Sequence, residues 1–316
     1  MIDTRIVSNE HPALVFVNPS SGGGKAISYL PQIQFLFKEL GIPAEFVQTN
    51  AVTEIAELAR KALAEGRKLL VAMGGDGTLQ ELVNAVYGSE VVVGVIPAGG
   101  GNDFAASLGL PKNPIAAARA MLQGEPRNVD LLRAKTSEGV VRLYVGGGGL
   151  GLDAESAQYA GTVFRGLPGR LRYIFSALTA LWRFKPPRVT ATFPESELRP
   201  LDSRALLAAA LNTPTYGAGL CLAPDAALDD GLLDVVLVQN LRWDEVLFLL
   251  PRLFLTGELR TSRLIRVRAK QVRFTTDRPG IFHCDGEVLG SSPVTIEVVP
   301  NAIRVLAPVL QHQARK

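Results

Sequence analysis

Short, uninterrupted apolar runs punctuate the first third of the chain, with helical patterns separating them. Ala13-Leu14-Val15-Phe16-Val17 reads as a buried strand ending in Asn18-Pro19-Ser20-Ser21-Gly22-Gly23-Gly24-Lys25. A helical pattern follows through Ile33, Leu36, Phe37 and Leu40, and Gly41 stops it. Ala44 to Thr49 then reads as a strand and Glu54 to Ala64 as a helix stopped by Gly66. Lys68 to Met73 reads as a strand running into Gly74-Gly75-Asp76-Gly77-Thr78, with the next helix starting at Leu79. Val91 to Ile96 is a further apolar strand, ending at Pro97. Strands that are apolar throughout and joined by helices predict a parallel sheet covered on both faces. In such sheets ligands gather at the carboxyl ends of the strands, and these glycine-rich loops all fall at those ends.

After Gln123-Gly124-Glu125-Pro126 the pattern changes. Strand candidates follow one another: Val140 to Val145, Arg188 to Phe193, Ala205 to Leu211, Leu232 to Val238, Ile265 to Phe274, Val294 to Val299 and Ile303 to Leu306. Helical patterns intervene near Leu171 to Trp182 and Trp243 to Leu255. A chain of 316 residues exceeds what one compact core usually accommodates. The expectation is an α/β chain in two domains. Residues 1–126 form a Rossmann-like parallel sheet with flanking helices, and residues 127–316 a mostly antiparallel, sandwich-like domain.

Charge and cysteine content narrow the setting. A formal charge of +3, with no long Lys/Arg run, argues against nucleic acid as a partner. Cys221 and Cys284 lie far apart with no CxxC, which reads as reduced thiols. The stretch from Met1 to Pro12 carries Asp3 and Glu10 and lacks the apolar core of a signal peptide. Residues 204–212 read as a buried strand, and Pro251 and Arg252 interrupt the apolar stretch 246–255, so no segment suits a bilayer span. A cytoplasmic protein is expected.

The chemistry is concentrated in acidic glycine turns. In Gly74-Gly75-Asp76-Gly77-Thr78 the glycines expose backbone N–H groups at a helix N-terminus, which suits an anion. Asp76 would repel a bare phosphate, so its presence points to a divalent cation or a metal–polyphosphate complex. Its alternative role is the cap of the following helix. Asn102 and Asp103 stand at another helix start, where capping is the default, and Asp229-Asp230-Gly231 and Asp285-Gly286 read by default as tight turns. A Walker A loop is excluded, because Pro19 holds the first glycine place and Ala26 follows Lys25. Gly146-x-Gly148-x-x-Gly151 matches a dinucleotide fingerprint but opens the β-rich half without the acid that should follow. HRD, GxSxG and HExxH are absent, and three histidines make a zinc site a poor candidate.

Taken in order, these segments resemble the diacylglycerol-kinase catalytic family, in particular its bacterial soluble lipid kinases, relatives of the sphingosine kinases. The resemblance rests on Asn18-Pro19-x-Ser21-Gly22, GGDGT at 74–78, Pro97-Ala98-Gly99-x-Gly101-Asn102-Asp103-Phe104-Ala105, and Gly149-Leu150-Gly151-Leu152-Asp153-Ala154. It also rests on Leu228-Asp229-Asp230-Gly231-Leu232-Leu233-Asp234 and Asp285-Gly286-Glu287. It implies a first domain like that of NAD kinases and phosphofructokinases, binding ATP, and a second domain that takes the lipid. Asn18, Ser20, Ser21, Gly22, Thr49, Gly74, Gly75, Asp76, Gly77, Thr78, Asn102 and Asp103 would surround the nucleotide. Asp76 and Asp103 would also hold catalytic Mg²⁺, and Asp230 with the Ala227 and Leu232 carbonyls a structural one. Asp285 and Glu287 are the candidate bases for the acceptor hydroxyl, with the longer Glu287 favoured and mutual repulsion expected to raise one pKa. The family usually has Thr where this chain has Gly100. Transient contact with a membrane surface is a further expectation from the residues themselves: Phe164, Leu167, Tyr173, Phe175 and Trp182 mingle with Arg165, Arg170, Arg172, Arg183 and Lys185, as in an interfacial helix meeting anionic headgroups. A core-packed helix fits that pattern equally well. A catalytically silent lipid-binding relative and an NAD kinase remain open, as do the identity of the lipid and a homodimer.

Overall fold

The computed structural model describes residues 6–49, 52–151, 184–194, 196–217, 219–241, 245, 249, 257 and 259–309. Two compact units emerge: Met1–Leu131 with Ala227–Gly231 and Val299–Lys316, and Leu132–Ala226 with Leu232–Val298. A single cut after residue 126 therefore does not describe the chain, because two later segments belong with the first unit.

In the first unit, strands and helices alternate as the apolar pattern predicts. They are β1 (Ala13–Val17), α1 (Ala26–Glu39), β2 (Ala44–Gln48), α2 (Val52–Ala64), β3 (Leu69–Gly74), α3 (Asp76–Val86), β4 (Val92–Pro97), α4 (Asp103–Ser107) and α5 (Pro114–Leu122). The long strand β5 (Glu125–Thr136), not foreseen in the sequence pattern, follows and passes into the second unit after Leu131. β1 pairs in parallel with β2 and β3, and β3 with β4. Every residue of β1, β3 and β4 is buried, which is why these strands read as unbroken apolar runs. Helix α2 turns Ile55, Ala59 and Ala62 inward at helical spacing, and α1 does the same with Ile33, Leu36 and Phe37. Gly94 interrupts β4 for a packing reason: a Cβ there would lie 2.8 Å from Met121 Sδ of α5 and from Val71 Cγ2 of β3. Asn113 caps α5, accepting from Ile115 and Ala116 N–H at 3.0 Å, with Pro114 at the first helical position.

The second unit is antiparallel. It comprises β6 (Val141–Tyr144), β7 (Gly147–Gly151), β8 (Arg188–Thr192), β9 (Leu201–Leu211), β10 (Thr215–Tyr216), β11 (Leu220–Cys221), β12 (Leu233–Gln239), β13 (Leu264–Ala269), β14 (Gln271–Thr276), β15 (Ile281–Cys284) and β16 (Glu287–Ser291). Strand β17 (Val294–Ala307) starts in this unit and ends in the first, where Arg304 and Val305 pair in parallel with Val92 and Val93. β9 serves two ladders: its first residues pair with β8, and its later ones with β7 and β12. Leu150, Ala208, Ala210, Val235, Leu237 and Phe282 face Val189, Val272, Phe274 and Ile296 across one core. Intervening residues of the same strands, Ala209, Leu211, Val236 and Val238, join Leu206, Leu222 and Leu249 in a second cluster. The unit is a β-sandwich with one sheet buried on both faces.

Two expectations about strands are corrected. Residues 265–274 are two strands, broken at Lys270, because β13 pairs with β12 while β14 pairs with β8 and β17. Residues 294–299 and 303–306 belong to one strand, β17, which passes through Asn301 at φ 50°. The helix expected from Leu171 to Trp182 lies outside the described residues. Of Trp243 to Leu255 only Glu245 and Leu249 are described, and both are helical. Among the described residues no helix is long and apolar enough to cross a membrane.

Candidate active site

The first cluster of candidate residues stands at the carboxyl ends of β1, β3 and β4. Backbone bonds carry the sheet pattern into the loops: Asn18 N–H donates to Met73 O (3.0 Å), Thr49 N–H to Val17 O (3.0 Å) and Ala98 N–H to Gly74 O (2.8 Å). Side chains then tie one loop to the next. Asn18 Nδ2 donates to Thr78 Oγ1 at 3.0 Å, while its Oδ1 accepts from Ser20 N–H (3.1 Å) and Ser20 Oγ (2.7 Å). Gly22, Gly23 and Gly24 all have positive φ (63°, 70° and 89°), and a Cβ on Gly22 would sit 2.5 Å from Ala98 O. Gly99 is equally constrained, since its Cβ would come within 2.5 Å of Gly75 Cα. These glycines let three loops approach at backbone distance. Gly100 differs: a Cβ there meets nothing within 4 Å, so there is room for the family's usual Thr.

Asp76 is not the cap of the helix it opens. Gly75 takes that place, without a side-chain bond, and Asp76 is the first residue of α3. Its carboxylate instead accepts from Asp103 N–H (3.1 Å) and Phe104 N–H (3.3 Å), the first turn of α4. Burial, then the neighbouring Asp103 carboxylate, push its pKa up from the ordinary 3.8. Asn102 holds a left-handed conformation (φ 60°) and its amide bridges Gly99, accepting from the N–H at 3.0 Å and donating to the carbonyl at 2.9 Å. Its amide thus shapes the loop. Asp103 is buried in the same place. A partly buried carboxylate beside a second one is a donor set that a hard dication relieves. Among the described residues no three His, Cys, Asp or Glu side chains converge as a metal cage.

The second cluster belongs to the sandwich unit. Asp285 and Gly286 form the two-residue turn between β15 and β16, with φ of 47° and 89° and Cys284 paired to Glu287. The default reading of this pair as a hairpin turn is therefore correct, and the turn also aims two acids. Asp285 accepts from Val145 N–H (2.7 Å), Gly146 N–H (2.9 Å) and Gly147 N–H (3.2 Å). Glu287 is half-exposed, with Arg142 Nη2 at 3.9 Å from its Oε2. Backbone amides thus surround Asp285, and a guanidinium stands beside Glu287. The glycine run of the apparent dinucleotide fingerprint lies here, and Gly147 to Gly151 is itself a strand, β7, paired to β9 and β15.

Asp229-Asp230-Gly231 is not a hairpin, since the strand after it, β12, pairs with β9 and β13. Asp229 is ion-paired to Arg127 at 2.6 Å, and Asp230 is exposed. Ala227 and Asp230 fall in the segment assigned to the first unit, and Leu232 opens the return to the second. The residue that holds this turn escaped the sequence analysis. Asp130, 1% exposed, accepts from Gly231 N–H and from Asn301 N–H, both at 2.8 Å, and its own N–H donates to Leu228 O at 2.6 Å. Its signal was available: an acid inside the apolar run Val129-Asp130-Leu131-Leu132. Asn212, a buried amide directly after the apolar run 205–211, escaped as well.

Glycine loops assembled at the carboxyl ends of a parallel sheet, with two acids behind them, have the build of a site for a phosphorylated ligand. The comparisons narrow the class. Residues 12–134 match the diacylglycerol kinase catalytic domain, and residues 148–307 match the YegS C-terminal NAD kinase beta sandwich-like domain. A diacylglycerol kinase of Mycobacterium tuberculosis is 31% identical over 293 residues, 92% of this chain and 93% of the relative. One from Bacillus subtilis is 26% identical over 303 residues, 94% and 96% of the two chains. A protein of Xanthomonas euvesicatoria named probable lipid kinase YegS-like is 31% identical over 259 residues, 78% and 81% of the two. The crystal structure of a Bacillus anthracis diacylglycerol kinase shares the fold, with a TM-score of 0.67 over 95% of this chain and 98% of the other, at 18% identity. The chain belongs to the diacylglycerol-kinase catalytic family and is a lipid kinase.

Proposed function

We propose that the enzyme transfers the γ-phosphoryl group of ATP, with Mg²⁺, to the hydroxyl of a lipid alcohol of the diacylglycerol class. The observation that carries this reading is the mutual bracing of the three glycine loops through Asn18–Thr78 and Asp76–α4. Phosphoryl transfer needs little covalent help from the protein and depends on positioning and charge neutralisation. Loops fixed by side-chain bonds supply the first. The second is the part of Mg²⁺, which Asp76 and Asp103 would hold and which would neutralise phosphate charge when bound.

The acceptor hydroxyl must lose its proton as the new bond forms. Glu287, half-exposed on the hairpin, is the proposed proton acceptor. Asp285 is committed to three N–H groups and is proposed to hold the turn in place. The relatives' names, diacylglycerol kinase and probable lipid kinase, support this substrate class. The test incubates the protein with ATP labelled at the γ-position, Mg²⁺ and a membrane lipid extract, with NAD in a parallel reaction. A labelled lipid product, absent when Mg²⁺ is chelated, is the expected result. Label appearing in NAD alone would reassign the acceptor, and no product from either would point to a silent lipid-binding relative.

A further inference from the structure

Two residues, far apart in sequence, hold every backbone polar group of the segment Val145-Gly146-Gly147. Asp285 accepts from the three N–H groups (2.7, 2.9 and 3.2 Å), and its own N–H donates to Gly147 O at 3.0 Å. Asn212, which follows β9, supplies the rest. Its backbone N–H donates to Gly146 O at 2.8 Å and its Nδ2 to Val145 O at 3.1 Å. Asn212 is 1% exposed, so a water cannot readily replace that side-chain bond. The segment has no slack on its own account either. A Cβ on Gly146 would stand 3.1 Å from Asp285 Oδ1, and one on Gly147 would lie 2.6 Å from Leu211 Cδ2.

We infer that Asn212 is a positioning residue for the reaction: by fixing the carbonyl side of Val145–Gly147 it holds Asp285, and through that turn Glu287, in working geometry. The inference rests on the assignment of Glu287 to the acceptor hydroxyl. Asp285 sits in the left-handed region (φ 47°), as the two-residue hairpin requires and aspartate tolerates. The three N–H bonds to its carboxylate keep their direction only while the segment that offers them stays put. A buried carbonyl left without its donor tends to rotate towards another partner, taking the next peptide N–H with it. Asn212 Nδ2 on Val145 O therefore controls the Gly146 N–H that Asp285 accepts, because both groups belong to one peptide plane.

The test uses the full chain with Asn212→Ala, and Asn212→Asp as an isosteric variant that cannot donate when ionised. Two readouts are taken. Peptide-resolved hydrogen exchange is expected to quicken about tenfold in the segments around 145–147 and 284–287, with β12 and β1 protected as in wild type. In lipid phosphorylation, kcat is expected to fall at least about tenfold while KM for ATP stays within about twofold. Unchanged exchange around 284–287 overturns the inference, as does exchange that quickens everywhere together, the mark of a merely structural residue. Quickened local exchange with unchanged kcat also overturns it. If wild type phosphorylates no lipid, the functional reading fails, and the exchange arm alone decides whether Asn212 governs the turn.

Discussion

Asp76 and Asp285 share a structural habit: each carboxylate accepts N–H groups from a different loop, so each organises backbone that is distant in sequence. For Asp76 this alters the expected consequence of mutation. Asp76→Ala is expected to abolish lipid phosphorylation and also to cost about 0.5–2 kcal/mol of stability, since the first turn of α4 loses its cap. Its pH dependence has a definite sign. The folded chain keeps the Asp76 proton above the ordinary 3.8, so just above that pH it binds more protons than the unfolded chain. The stabilising contribution is full below 3.8 and is lost as pH rises through the folded value. Without divalent cations, the stability of wild type relative to Asp76→Asn should fall across that window in urea melts. A difference flat with pH would contradict it. At the hairpin, Glu287→Gln should lower turnover by roughly 10²–10⁴-fold with an unchanged melting point. Asp285→Asn places a donor among donors, so it should lose turnover and about 1–3 kcal/mol of stability together. Equal melting points for the two variants would refute that division of roles.

Among the elements, β7 is the least conventional, a strand read as Gly147-Gly148-Gly149-Leu150-Gly151. Strand interiors usually avoid glycine, and here close neighbours explain it. A Cβ on Gly148 would lie 2.7 Å from Phe282 Cζ and 2.9 Å from His283 O. Because one of those atoms is backbone, Gly148→Ala is expected to cost about 1–3 kcal/mol, measured by chemical denaturation. A neutral substitution would mean that β15 moves aside easily. Elements with strong periodicity were legible in the sequence: β1, β3 and β4 from their unbroken apolar runs, α1 and α2 from their spacing. β5 was hidden, because Arg127, Asn128 and Asp130 interrupt its apolar pattern. The break at Lys270 was hidden too, since a change of partner strand leaves no mark on alternation.

At the scale of the whole molecule, Asp130 joins three stretches of chain within the first unit: β5, the turn before Gly231, and β17 at Asn301. Asp130→Asn would set an amide N–H₂ against one of two backbone N–H groups, and a loss of about 1–3 kcal/mol is expected in denaturant melts. Asp230→Ala tests the structural Mg²⁺ that the family resemblance implies at the same turn. Its melting point should drop, and Mg²⁺ should protect it less than wild type. A melting point and Mg²⁺ response equal to wild type would remove the structural-metal assignment.

The sequence by itself determined the class of fold, the place of each glycine loop and the acids worth testing, because apolar periodicity and turn chemistry are local properties. Asp76, Asp103, Asp285 and Glu287 could all be named from their motifs. What each carboxylate touches was decided by tertiary structure alone. The donors to Asp76 lie 27 and 28 residues on, and those to Asp285 about 140 residues back. Asp130 and Asn212 carry no motif, and their partners are mostly backbone groups, which look the same in every residue. Such contacts depend on which strands end side by side, and no local pattern encodes that.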